Sequence, residues 1–145
     1  MGSEEVQIGR PPGSLTIARA EGVGSPAEQV TWTLQLPGLR AVDDVWLAEW
    51  EGGPQRLAHF FAELAADWRE WEGTKEWAGG DGELRLAATH DGVGHVELFV
   101  AMRAHWSGQP PFPDEWATSG VVVIEPGSLD HVACRVAALL GVAEP

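Results

Sequence analysis

One lysine, one cysteine and no tyrosine occur in a chain of 145 residues. Cys134 alone can form neither an internal disulfide nor a thiolate metal cluster. Basic residues are scarce. Nine stand against 22 acidic ones, for a formal net charge of −13. A field of that sign repels phosphate backbones and anionic lipid surfaces, so nucleic-acid and membrane binding are not expected. No apolar run approaches the ~18 residues of a membrane span. The start, MGSEEVQIGRPPGS, has neither the basic opening nor the apolar centre of a secretory signal. A cytoplasmic protein is the expectation. Glycine-rich phosphate loops, a dinucleotide-binding fingerprint and HExxH are also missing. No cofactor is expected, and nothing in the sequence demands an enzyme.

What is present is an apolar fraction of 44 % and eight tryptophans. That is enough for one ordinary core, so residues 1–145 read as a single domain with a flexible segment at 1–13. No internal repeat is visible. Residues 14–19 and 30–36 alternate as half-buried strands do, with Val30, Trp32, Leu34 and Leu36 on one face. Residues 41–50 read as a third strand, and 84–90, 95–105 and 117–124 as three more.

Two segments have helical periodicity. From Gly53-Pro54 to Gly73, residues Leu57, Phe60, Phe61, Leu64, Trp68 and Trp71 fall on one stripe, predicting an amphipathic helix over 53–72. A second helix over 128–140 places Leu129, Val132, Ala133, Val136 and Leu140 together, with Ser128 as cap and Cys134 packed on its flank. The expected fold is α+β, an antiparallel sheet of about six strands with both helices on one face.

The segment HDGVGHVELFVAMRAH, 90–105, is the obvious place for chemistry, since it holds three of the five histidines. Directly opposed residues of an antiparallel pair share a face, so parity tests it. Pairing His90 with His95 splits the apolar set, and shifting that register by one residue unites Leu84, Leu86 and Ala88 with Val96, Leu98, Val100 and Met102. It turns His90 toward the core edge. His95 then lies on the outer face with Glu97, Phe99 and Arg103. Two histidines on opposite faces cannot grip one metal, unless a bulge at Gly92 or Gly94 resets the pairing. Asp91-Gly92 therefore reads as a turn. A metal-assisted hydrolase on His90, Asp91 and His95 is the weakest of three functional expectations.

The leading expectation is a non-catalytic, acidic interaction domain for a basic partner. Its candidate contacts are Asp43, Asp44, Glu49, Glu51, Asp114, Glu115, Glu97 and Phe99. The alternative is a small-molecule or carbohydrate-binding domain that uses exposed tryptophans. An outer sheet face carrying Phe99 would equally support a homodimer.

The pattern F-x-x-L-x-x-x-W-x-x-W-x-G at Phe61, Leu64, Trp68, Trp71 and Gly73 is followed by Trp77, by Gly94-His95-Val96 and by Pro126-Gly127. In this the chain resembles a family of small bacterial proteins grouped as a domain of unknown function. It is also similar in pattern to WapI-type immunity proteins, which implies toxin neutralisation. The likeness spans roughly residues 14–140 and rests on aromatics and glycines, so it brings no active site with it.

Overall fold

The computed structural model describes residues 5–10, 12–19, 29–46, 53–79, 84–93, 95–103 and 116–141. Strands β1 (Glu5–Arg10), β2 (Gly13–Arg19), β3 (Gln29–Leu36) and β4 (Leu39–Trp46) pair in sequence order as an antiparallel sheet, and α1 (Gly53–Ala66) follows. Then β5 (Thr74–Gly79), β6 (Leu84–His90), β7 (Val96–Arg103) and β8 (Ala117–Ile124) form a second antiparallel sheet of four. A 3-10 turn (Pro126–Ser128) leads into α2 (Leu129–Leu140).

This corrects the expected single sheet of about six strands. There are eight strands in two sheets, and β1 and β5 are the ones the sequence pattern misses. Each carries too little apolar alternation to stand out: Val6 and Ile8 in β1, Trp77 in β5. Their partners supply the rest. Val6 opposes Ile17, Ile8 opposes Leu15, and Trp77 opposes Leu86. With these strands counted, the order is four strands and a helix, twice over.

One buried cluster runs through both sheets and both helices. Leu57, Phe60, Phe61 and Leu64 of α1 and Leu129, Val132, Val136 and Leu140 of α2 all lie in it. Trp32 of the first sheet stacks on Trp77 of the second at 6.0 Å. Two arginines tie α2 to the first sheet: Arg19 Nε donates to the Leu139 carbonyl at 2.8 Å, and Arg135 Nη2 to the Glu5 carbonyl at 2.8 Å. The tip of the β1–β2 hairpin lies against β8. A Cβ on Gly9 (φ +80°) would overlap Val122 Cγ1.

The helix boundaries also need correction. α1 stops at Ala66, not at 72. Its last turn tightens, with Trp68 N–H on the Ala65 carbonyl at 3.4 Å, and Trp68 is left 43 % exposed. Trp71 is half-buried beyond the helix, packed against the core. Gly73, at φ +77°, serves the turn into β5 instead of a helix cap. At α2 the Ser128 side chain does not cap. Its Oγ donates to the Glu125 carbonyl at 2.8 Å, because Ser128 already sits in the helical region at φ −98°, ψ −3°. Gly141 (φ 69°) closes the other end, its N–H reaching the Ala137 and Ala138 carbonyls. Cys134 is exposed, not packed.

Candidate functional site

The β6–β7 register is the one that parity requires: Leu84 opposes Met102, Leu86 Val100, Ala88 Leu98 and His90 Val96. Alternate residues of both strands therefore enter the core, and the turn at 91–95 is left to hold itself together. Asp91 does this. Its Oδ1 accepts the N–H groups of Val93 (2.8 Å) and His95 (3.0 Å), and its Oδ2 lies 3.0 Å from His95 Nδ1. The two backbone N–H donors, and after them the His95 ring, hold the Asp91 carboxyl below the usual carboxylate range.

His90 turns the other way. Its Nδ1 accepts the Gly92 N–H at 2.9 Å, which places the ring hydrogen on Nε2, and Nε2 donates to the Trp68 carbonyl at 2.9 Å. That carbonyl belongs to the tightened end of α1, where helical acceptors lack partners. Trp71 meets the ring edge-on at 5.2 Å. Asp91 and His95 are thus brought together, and His90 is directed away from them as a strut between β6 and the end of α1. Among the described residues no group of three or more His, Cys, Asp or Glu side chains is placed to hold a metal ion.

Because its folded-state pKa is lowered, Asp91 stabilises the fold above the carboxylate range and ceases to do so as pH falls through its folded value. An Asp91→Ala variant should therefore unfold at lower denaturant than the wild type at neutral pH. The two midpoints should converge in strong acid, and chemical denaturation at both pH values checks this. A gap of the same size at both would show that the carboxylate charge is irrelevant to the turn.

The acidic candidates do not form one surface. Asp43 and Asp44 lie on opposite faces of β4. Asp43 is half-buried opposite Trp32, whereas Asp44 accepts Thr31 Oγ1 at 2.6 Å on the outer face. Glu97 and Phe99 lie on the outer face of the second sheet. Glu49, Glu51, Asp114 and Glu115 lie outside the described residues. Of the tryptophans, Trp32 and Trp77 are buried, and Trp68 and Trp116 are exposed.

The outer face of the second sheet is where the unusual surface lies, and the strand registers lay it out in rows. Thr74, Thr89, Glu97 and Val123 form one row, and Glu76, Ala87, Phe99 and Val121 the next. Ala78, Arg85, Ala101 and Ser119 form a third, and Arg103 with Ala117 a fourth. Phe99, Val121 and Val123 are 43 %, 44 % and 50 % exposed. Neighbouring apolar side chains left in water, here on the β7–β8 side of the sheet, are the usual mark of a contact surface. The small residues of the third row leave openings of about 870 Å³ and 500 Å³, which share Ala78, Arg85, Phe99 and Ala101. Alternation in β7 and β8 made the exposure of Phe99 foreseeable. The hollow was not, since it depends on four strands lying side by side.

No helix among the described residues is long and apolar enough to cross a membrane. No curated protein and no solved structure matches the chain, so the similarity to WapI-type immunity proteins is not carried by any match. A family model does match, over residues 7–143, from the first strand to just past the second helix. The chain belongs to DUF6228, a family of unknown function.

Proposed function

We propose that this protein is a non-catalytic interaction domain that docks a basic protein partner on the outer face of its second sheet. The observation that carries the reading is the exposed cluster of Phe99, Val121 and Val123, with Glu97 and Glu76 on one side of it and Arg85 and Arg103 on the other. An apolar centre with acids on one side suits a partner whose contact patch is apolar and sets lysine or arginine opposite Glu76 and Glu97. The net charge of −13 would steer such a partner in from a distance. An immunity protein that caps a basic toxin is one form of this function.

The test is capture from the native lysate by the immobilised full chain, at low salt and at about 0.3 M, where the screening length falls to roughly 6 Å. A protein of high isoelectric point should be retained at low salt, weakened at high salt and lost with Phe99→Ser. If wild type and Phe99→Ser retain the same proteins, this face is not the docking surface.

A further inference from the structure

The outer face of the second sheet is complementary to itself, and we infer that a second copy of this chain covers it when no other partner does. The inference rests on the reading of this face as a docking surface and adds an occupant to it. A two-fold axis lying across the strands, between the second and third rows, sets each strand over its own counterpart and reverses the rows. The first row then meets the fourth, and the second meets the third. Two aligned sheets pack with strand directions within about 30° of each other, which such an axis permits.

Size is complementary across that axis. On β7, Phe99 meets Ala101 of the second copy. On β8, Val121 meets Ser119 and Val123 meets Ala117. On β5, Glu76 meets Ala78, and on β6 the order is inverted, so that Arg85 meets Ala87. Each of these larger side chains faces a small one. The hollow beside Phe99, over Ala101, Ala117 and Ser119, takes the Phe99 and Val121 side chains of the other copy.

The exception in size is Glu97 with Arg103, and these are opposite in charge. Arg103 already interacts within its own chain, so the more telling pair is Arg85 and Glu76. Both are exposed, and neither has a hydrogen bond or ion pair among the described residues. Arg85 of one copy lies over Ala87 of the other, one strand or ~4.8 Å along the row from Glu76. The axis makes every contact twice, so one interface pairs both arginines with both acids. An unrelated partner would have to match the sizes and the charges separately. A second copy matches both by symmetry.

Two chains of net charge −13 repel one another at long range. The face also measures only about 14 Å across the strands and about 20 Å along them, small for a specific interface. Self-association is therefore weak, and a basic partner arriving at low salt displaces it.

The test is sedimentation of the full chain from ~5 to ~500 µM at about 0.3 M salt, where the repulsion is screened. The mass should rise from one chain to two, with a midpoint on the order of 100 µM. Phe99→Ser should stay a single chain. Glu76→Arg and Arg85→Glu should each weaken association about 10-fold, since each sets like charges together twice. Both positions are exposed, so the core is untouched. Mixed together, the two variants should form a heterodimer near wild-type strength, because the arginines of one chain then face the glutamates of the other.

A single-chain mass throughout, variants that associate as the wild type does, or a mixture no stronger than its components would each overturn the inference. A monomer that still captures a basic protein overturns self-association alone. A dimer that passes the mixing test but captures nothing basic overturns the docking of a basic partner alone.

Discussion

Gly9→Ala should lower the unfolding free energy by about 3 kcal/mol, the sum of a left-handed backbone penalty and an overpacked contact. Gly9 stands at φ +80° where the β1–β2 hairpin meets β8. The added Cβ would overlap Val122 Cγ1, and would lie 3.0 Å from the Gly13 carbonyl oxygen and 3.3 Å from that of Val123. Neither carbonyl can move without breaking its own strand. Val122 is fully buried and β-branched, so its side chain is restricted at χ1 and enclosed by the core.

Gly38 separates the two contributions. It has nearly the same φ, +76°, in the β3–β4 turn, and a Cβ added there would meet nothing within 4 Å. Gly38→Ala should therefore cost only the backbone share, about 1 kcal/mol. Urea denaturation of both variants is the measurement. Equal losses would mean that the junction between the sheets yields to the methyl group, and that the close approach at Gly9 is not a fixed feature.

The second large effect is expected at Trp32. Its side chain is fully buried and stacked on Trp77, so it joins the two sheets from inside. Trp32→Ala should cost about 3–5 kcal/mol, through lost burial and the cavity left behind. That is a large share of a domain's usual ~5–15 kcal/mol. Trp32→Phe should cost far less, about 1.5 kcal/mol or under. Among the described residues the indole Nε1 is buried with no hydrogen-bond partner, and phenylalanine removes that orphaned donor along with the extra ring. Were Phe as damaging as Ala, the indole N–H would have to be satisfied after all. Thermal unfolding of the two variants distinguishes the cases.

Both effects originate where the sheets meet, and the sequence reveals that place unevenly. Trp32 is legible as a core residue, because Val30, Trp32 and Leu34 alternate with threonines. Gly9 is not, because in the sequence it is one glycine shortly before two prolines. The same division runs through the candidate site. Parity in 84–90 and 96–103 settles which side chains enter the core, and from that follows the outer placement of Glu97 and Phe99. It also points His90 and His95 to opposite faces, and in the structure they hold different partners. The carbonyl that His90 holds comes from Trp68, 22 residues earlier, and no spacing rule points to it.

By itself, then, the sequence determined the faces of the strands at 30–36, 84–90 and 95–105, the buried stripe of the first helix up to Leu64 and that of the second, and the excess of negative charge. These are local quantities: a period of two or of 3.6 residues decides where each side chain points. The tertiary structure alone decided that there are two sheets, that β1 and β5 exist, and that α1 ends before Trp68. A strand with one or two apolar residues forms only when a neighbour completes its ladder, and a helix ends where its packing does. The hollow at Arg85 belongs with these, since each of its strands contributes a single residue to the row and only their register lines them up.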